Sequence, residues 1–188
     1  FLDHASGLNE QRALRRSTID RRVEQIAELA RGDEPTLIWC ELNDEANAAV
    51  ASIDGAVQVA GADKLETKVE RLLGFADGRY RVLVTKPSIA GFGMNWQHCR
   101  RVIFAGMSNS FEQTYQAIRR CWRFGQTKPV DVHFVYTEAD SFVVQNYRRK
   151  SGEHEQMLSS MIGLVGAVEQ RWNTYEPSAE MEVPKWLA

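Results

Sequence analysis

The chain has 188 residues, of which 44% are hydrophobic and 26% are charged, and its formal net charge is −2. This length suffices for one domain with a substantial core, and the composition excludes disordered and collagen-like classes. No apolar run reaches the roughly 20 residues of a membrane span, and the N-terminus lacks the pattern of a signal peptide. These features predict a cytoplasmic protein with no membrane partner.

The three cysteines, Cys40, Cys99 and Cys121, include no CxxC pair. An odd number without paired spacing disfavours both a disulfide framework and a zinc site, so reduced thiols packed in the core are predicted. His98 precedes Cys99, but adjacent residues in a strand point to opposite sides and no second pair lies nearby. No metal ligand is therefore expected.

The basic residues are clustered although the net charge is slightly negative. The clusters are Arg12, Arg15, Arg16, Arg21 and Arg22 in the first predicted helix, then Arg119, Arg120 and Arg123, then Arg148, Arg149 and Lys150. Such groups are either solvated helix faces or contacts for an anionic partner. For the first and last clusters, the sequence leaves both interpretations open.

Apolar residues recur with helical spacing from about Asn9 to Ala30, and short apolar runs then alternate with amphipathic segments. The predicted strands are Thr36–Cys40, Ala56–Ala60, Arg81–Thr85, Arg101–Ala105 and Val130–Tyr136. The predicted helices include one with Leu65, Val69, Leu72 and Leu73 on a single apolar stripe, and one from Phe111 to Trp122 with Trp122 facing the core.

This alternation predicts right-handed βαβ units and therefore an α/β fold, a mostly parallel sheet with helices on both faces. Such sheets bind ligands at the carboxyl ends of their strands, so the loops that follow the strands are the candidate sites. The predicted division is an N-terminal arginine-rich helix at 1–34, a sheet domain at 35–137, a C-terminal helical extension at 138–174 and a tail at 175–188.

One glutamine and two arginines recur at helical spacing near the end of the predicted Phe111–Trp122 helix. Gln116, Arg120 and Arg123 stand at i, i+4 and i+7, so one helix face would present all three. Neighbouring like charges repel by roughly a few tenths of a kcal/mol, which favours an anionic ligand. A guanidinium stays charged and its planar fork fits phosphate oxygens.

The pattern QxxxRxxRxGQ, formed by Gln116, Arg120, Arg123, Gly125 and Gln126, resembles motif VI of superfamily 2 helicases. Its Gly-Gln ending is similar to the SWI/SNF-like branch of that superfamily. The resemblance implies that Arg123 is the arginine finger that stabilises the transition state of ATP hydrolysis. It also implies that Arg120 is a second phosphate contact, that Gln116 orients these groups and that Gln126 lies on the ATP-binding side.

A glycine-rich segment after the third predicted strand resembles motif V of the same superfamily through Gly91, Gly93, Met94 and Asn95. Glycine lets backbone amides approach a phosphate closely. The resemblance implies that Gly91, Gly93 and Asn95 belong to the ATP-binding side. It places nucleic-acid backbone contacts at Thr85, Lys86 and Ser88.

The resemblance extends over about Thr36–Tyr136, and the Trp-Gln-His that follows the glycine loop is similar to phage-type DEAD/DEAH-box helicases. It implies the C-terminal RecA-like lobe of an ATP-dependent helicase or DNA translocase, in a bacterium or a phage-infected host. The SWI/SNF-like ending favours double-stranded DNA as the nucleic-acid partner.

No GxxxxGK[ST] phosphate loop occurs in the chain. ATP and Mg would therefore be bound mainly by an N-terminal RecA-like lobe of the same polypeptide, and this fragment alone is not expected to hydrolyse ATP. Asp33 and Glu34 precede Pro35 and a strand, so a turn is predicted there and not a magnesium site.

Two rival functions follow from the same residues. One is a catalytically silent RecA-like module that binds nucleic acid or protein without ATP turnover. The other is a Rossmann-like small-molecule enzyme, which is disfavoured because Trp96 occupies the position of the third fingerprint glycine.

Overall fold

The computed structural model describes residues 8–90, 94–106, 108, 110–137, 140, 143–153 and 156. Gly91 and Gly93 lie outside the described residues, as do the predicted tail at 175–188 and most of the predicted extension at 138–174. Within the described part of the chain, no helix is long and apolar enough to cross a membrane.

The described residues form one parallel sheet with strand order β2-β3-β1-β4-β5. The strands are β1 Thr36–Cys40, β2 Ala56–Gln58, β3 Val82–Thr85, β4 Arg101–Ala105 and β5 Asp131–Val135. Strands β1 and β3 are buried along their whole length, as expected for central strands covered on both faces. The predicted α/β fold with a parallel sheet is confirmed.

Two apolar clusters lie on opposite faces of the sheet, because alternate residues of each strand point to opposite sides. The helices are α1 Leu8–Ser17, α2 Ile19–Leu29, α3 Asn43–Ser52, α4 Leu65–Ala76, α5 Pro87–Ala90 and α6 Phe111–Ile118. Residues 143–153 are helical as well. Ile26 of α2 and Ala49 of α3 pack with Ile38 of β1 on one face. Phe75 of α4 and Ala117 of α6 belong to the other cluster.

The single helix predicted over Asn9–Ala30 is two helices separated at Thr18. The Thr18 hydroxyl donates to the carbonyl oxygens of Leu14 at 3.3 Å and Arg15 at 3.2 Å, and such local bonds compete with a continuous helix. Helix α2 packs in the core of the sheet domain. The predicted boundary at residue 34 therefore separates α2 from the sheet that it covers.

Of the apolar stripe predicted for α4, Leu72 packs against the core and the other three residues do not. The side chains of Leu65, Val69 and Leu73 are 71%, 45% and 49% exposed. Helix α4 instead buries Phe75, whose ring meets that of Trp96 edge to face with 5.5 Å between centroids. The face of α4 that packs on the sheet carries Leu72, Phe75 and Ala76.

A buried ion pair joins α2 to α3. The Arg22 guanidinium donates to Glu45 Oε1 from Nε at 3.0 Å and from Nη2 at 2.6 Å, and the two side chains are 1% and 0% exposed. Arg22 Nη2 also donates to the Arg15 carbonyl at 2.9 Å, and Glu45 Oε2 accepts from the Glu41 amide at 3.2 Å. These extra bonds offset the cost of removing both charges from water.

Removing one member of this pair should destabilise the lobe strongly. We expect Arg22→Ala to lower the free energy of unfolding by about 3–5 kcal/mol, because Glu45 would remain buried without its counter-charge. Urea unfolding followed by circular dichroism measures the change. The exposed Arg31, paired with Glu28 at 2.7 Å, is the matched control, and Arg31→Ala should leave the unfolding free energy nearly unchanged.

The double variant Arg22→Met with Glu45→Leu removes both charges and fills the space with apolar side chains of similar volume. It should recover most of the stability that Arg22→Ala loses. An Arg22→Ala protein as stable as the Arg31→Ala control would contradict the role assigned to the buried pair.

Candidate functional site

Arg120 is an almost buried arginine whose bonded partners are all neutral. Its guanidinium donates to the Gln116 carbonyl at 3.2 Å, to the Met94 carbonyl at 3.3 Å and to Gln116 Oε1 at 3.4 Å. The residue is 9% exposed, and burial, with a further effect from the nearby Arg123 charge, lowers the pKa of Arg120. Among the described residues, no carboxylate forms an ion pair with it. A positive charge held this way is suited to an external anion.

Arg123 is exposed and lies close enough to Arg120 for the two charges to repel. Within the described part of the chain, no side chain forms a hydrogen bond or an ion pair with the Arg123 guanidinium. The flanking aromatic residues are exposed as well: Trp122 is 52% exposed and Phe124 is 97% exposed. The Arg119 guanidinium lies over the Trp122 ring, 5.1 Å from its centroid. The structure thus brings Arg120 and Arg123 together at the surface.

The predicted helix to Trp122 is shorter than expected, and this changes how the arginines are aligned. Helix α6 ends at Ile118, and the amide of Cys121 bonds to the Ile118 carbonyl at 3.0 Å, which tightens the last turn. The Arg120 side chain caps the Gln116 carbonyl near the helix end. Gln116 and Arg120 therefore meet as predicted, but Arg123 stands on the turn after the helix, and Trp122 is not a core residue.

Hydrogen bonds fasten this turn to the segment that follows the glycine-rich loop. The Trp96 amide donates to the Arg120 carbonyl at 2.8 Å, and Gln126 Nε2 donates to the Gln97 carbonyl at 2.7 Å. The Gln97 side chain donates in return to the Phe124 carbonyl. Gly125 adopts a φ of +93°, which other L-residues rarely reach, and a Cβ there would lie 3.3 Å from Gln97 Nε2. We call the contacts between 94–97 and 120–126 the clasp.

Gln126 is occupied inside the clasp. Its amide nitrogen also approaches the Cys121 carbonyl at 3.4 Å, and its amide oxygen accepts from the Lys128 amide at 3.1 Å. An ATP contact of this side chain would have to share these bonds or break them, and it stays a prediction. Gln126 fixes the backbone that carries Arg123.

A buried aromatic and thiol layer supports the clasp from below. The Trp96 ring is fully buried and packs against Trp39, with 6.1 Å between centroids, and against Phe75. Contact with the Cys99 thiol, and then burial, raises the pKa of the Cys121 thiol. All three cysteines are free and buried, as the sequence predicted. Within the described residues, no group of three His, Cys, Asp or Glu side chains could hold a metal ion.

The residues predicted to contact nucleic acid differ in accessibility. Thr85 is 1% exposed and its hydroxyl donates to the Val59 carbonyl at 2.9 Å, so its side chain holds β3 to the following loop of β2 and does not face a ligand. Lys86 is half-buried and Ser88 is exposed, directly after the carboxyl end of β3. Asn95 is exposed, immediately before the clasp residue Trp96.

The two groups of predicted site residues belong to neighbouring parts of the lobe, because α5, which carries Ser88, contacts α6. Lys86 and Ser88 follow the carboxyl end of β3, where ligands of parallel sheets were expected. Helix α6 returns from the carboxyl end of β4 toward the start of β5, because β5 is parallel to β4. Arg120 and Arg123 therefore follow helix α6, and not the carboxyl end of a strand.

Sequence reasoning missed three parts of this site: the Met94 carbonyl, the Gln97 side chain and the exposed Phe124. A main-chain acceptor leaves no mark in the sequence, and a lone glutamine is uninformative. Phe124 did carry a signal, since it adjoins the glycine of a tight turn that exposes side chains.

Comparison with known proteins gives one family and a set of related folds. The family described as Helicase conserved C-terminal domain matches residues 19–125, more than half of the chain. No curated protein sequence matches.

Solved structures match at low sequence identity. The C-terminal part of the Fun30 ATPase domain has a TM-score of 0.54 at 19% identity, over 72% of this chain and 44% of that chain. The C-terminal domain of the DEAD-box protein Dbp5 has a TM-score of 0.61 at 16% identity, over 71% and 80%. S. cerevisiae Dbp5 bound to RNA and ADP BeF3 has a TM-score of 0.58 at 16% identity, over 72% and 36%. The chain thus spans less than half of the Fun30 structure, and these likenesses establish the fold.

If Gln126 stabilises the clasp and does not bind a ligand, its removal should lower the stability of the chain in the absence of any ligand. We expect Gln126→Ala to lower the free energy of unfolding by about 1 kcal/mol, because the part-buried carbonyls of Gln97 and Cys121 lose their donor. Chemical denaturation of the chain measures this, with the exposed Gln25→Ala on α2 as control. Equal stability of the two variants would contradict the structural role and return Gln126 to the list of ligand contacts.

Proposed function

Because the chain belongs to the helicase conserved C-terminal domain family, we propose that it is the C-terminal RecA-like motor lobe of an ATP-dependent helicase or DNA translocase. The observation that carries this proposal is the arginine pair. Arg120 is nearly buried with only neutral oxygens as partners, and Arg123 is exposed beside it. Two adjacent guanidinium groups fastened to a rigid turn are suited to bind the phosphates of a nucleotide.

The fit to ATP rests on charge and on geometry. Within the described residues, neither arginine has a carboxylate ion-pair partner that a phosphate would need to displace. Arg120 is already oriented by Gln116, so little side-chain entropy is lost when an anion binds. Arg123 has the freedom to extend across a cleft. In this proposal, Arg123 stabilises the charge that develops on the transferring phosphoryl group, Arg120 holds a second phosphate oxygen and Gln116 orients Arg120.

The remaining chemistry is assigned to another lobe. Mg-bound ATP supplies the phosphoanhydride bond that is hydrolysed. The chain contains no GxxxxGK[ST] sequence to cradle the phosphates, so we assign that cradle and the magnesium ligands to an N-terminal RecA-like lobe. Hydrolysis then requires both lobes, and this lobe alone is inactive. The Gly91–Asn95 segment is assigned to the coupling of the ATP site to the nucleic acid.

Nucleic-acid contact is assigned to Lys86 and Ser88, which have accessible surface at the carboxyl end of β3. Contacts of this kind go to the phosphate backbone and carry little sequence information. The similarity of the Gly-Gln ending to the SWI/SNF-like branch favours double-stranded DNA and translocation. One Dbp5 structure of the same fold was solved with RNA, so RNA is the competing ligand in a binding measurement.

Removal of the exposed arginine should abolish turnover and spare binding. In a polypeptide that contains this lobe and an N-terminal lobe with a phosphate loop, we expect Arg123→Ala to lower nucleic-acid-stimulated ATP hydrolysis by about a hundredfold or more. ATP and DNA affinities should change little, because the finger acts on the transition state. Arg123→Lys should rescue little, since an ammonium lacks the planar fork.

The matched control is Arg21→Ala, which removes an exposed arginine from α2. Its hydrolysis rate should equal that of the unaltered protein. If Arg123→Ala also retains the full rate, or if the unaltered protein hydrolyses nothing, the chain is a RecA-like binding module without a finger.

The proposed contact of Lys86 with nucleic acid should contribute to the salt dependence of the binding affinity. We expect Lys86→Ala to weaken DNA binding about equally for all sequences, and to reduce the slope of log affinity against log salt by about 1. Fluorescence anisotropy at several salt concentrations measures both, with double-stranded DNA and RNA compared. Arg31→Ala removes a charge near the amino ends of the strands and should leave the slope unchanged. Equal slopes for the two variants would remove Lys86 from the interface.

A further inference from the structure

The most exposed large apolar side chain in the described residues, Phe124, adjoins the exposed arginine. It is 97% exposed, and Trp122, on the other side of Arg123, is 52% exposed. We propose that Phe124, supported by Trp122, is the apolar contact through which this lobe docks against an apolar depression of the N-terminal lobe when the ATP cleft closes. This inference rests on the proposed function, because it requires Arg123 to reach ATP on that lobe.

The exposure of Phe124 is built into the turn. The Phe124 carbonyl accepts from the Gln97 side chain, and the Gln126 amide donates to the Arg123 carbonyl at 2.9 Å. Gly125 holds a left-handed backbone conformation immediately afterwards. With its main chain fixed on both sides, the Phe124 ring is held away from the body of the lobe. Because the main chain is already fixed, docking would have to order only the side chain of Phe124.

The position of Phe124 identifies its partner. Consecutive Cα atoms are about 3.8 Å apart, so a surface that Arg123 touches also comes within reach of Phe124. In the proposed function, that surface is the part of the N-terminal lobe that surrounds the ATP phosphates. A ring covered by this lobe only in the closed state would favour closure, because apolar area leaves water at that step.

The composition of the turn agrees with a protein partner. Exposed Trp, Phe and Arg side chains are enriched at the centres of protein interfaces and carry much of the binding energy there. Trp122 is restrained by the Arg119 guanidinium at 5.1 Å, which prepares a second flat apolar surface next to Phe124. Stacking of nucleic-acid bases on these rings is the alternative, and a measurement of DNA affinity separates it from docking on the N-terminal lobe.

The test compares Phe124→Ala, Phe124→Leu and Leu73→Ala in the two-lobed protein. Leu73 is a matched control because it is 49% exposed on α4 and is distant in sequence from the arginines. One dye is attached at Asp54→Cys, in the exposed turn after α3, and one on the N-terminal lobe; the native cysteines are buried and should not react. Energy transfer with a non-hydrolysable ATP analogue then reports closure, beside kcat and KM for ATP and the affinity for DNA.

We expect Phe124→Ala to lower the ratio of closed to open molecules, and with it kcat/KM, by about tenfold to a hundredfold, the value of one buried phenyl ring. Phe124→Leu should recover most of the closure because it keeps an apolar side chain. Leu73→Ala should close and hydrolyse normally. The unfolding temperature of Phe124→Ala should not fall, since the ring contacts almost nothing within the lobe.

Three results would overturn the inference. If Phe124→Ala closes normally while Arg123→Ala loses hydrolysis, docking is wrong and the motor assignment stands. If Phe124→Ala weakens DNA binding with closure unaltered, the ring stacks on nucleic acid. If Arg123→Ala also retains full hydrolysis, the proposed function fails and the docking inference fails with it.

Discussion

The arrangement of this lobe depends on the hydrogen-bonded contact between residues 94–97 and 120–126. A positively charged turn would not hold one conformation by itself, because its arginines repel each other and are well solvated by water. Here the main chain of Trp96 and the side chains of Arg120 and Gln126 tie the two segments together. Beneath them the Trp96 ring is locked between Trp39 and Phe75. The aromatic layer thus provides the rigidity, and the polar layer converts it into a defined position for two charges.

The residues of the QxxxRxxRxGQ motif have different roles in this structure. Of the five motif residues near the end of α6, Arg123 alone combines an exposed guanidinium with no bonded partner among the described side chains. Arg120 has a structural role because it donates to the Gln116 and Met94 carbonyls, and it keeps a positive charge that could bind an anion. Gln126 is wholly engaged within the protein. The members of this motif therefore support one another, and only some of them are placed to meet a ligand.

The fold was predictable from the sequence to within a few residues at each strand, because short apolar runs bounded by turn residues indicate burial on both faces. The faces of the helices were less predictable. For α4, three of the four residues of the predicted stripe are exposed, while Phe75, which the stripe did not include, is buried against Trp96. The end of α6 was missed because the bonds of Arg120 to a distant carbonyl depend on tertiary structure. The sequence predicted that Gln116 and Arg120 lie side by side. It could not predict the bonds that hold them, because these bonds involve main-chain atoms, which have no sequence signature.

The order of strands in the sheet has a consequence for biosynthesis. Thr36 at the start of β1 pairs on one side with Val82 and on the other with Arg101, both far later in the chain. While the ribosome is still making α4, β1 is a mostly apolar strand with neither neighbour available. Long-range parallel pairing is slow to form and leaves such strands prone to aggregation. The nascent chain should consequently depend on chaperones until β4 has emerged, and a ribosomal pause before that point would be more damaging than one after it.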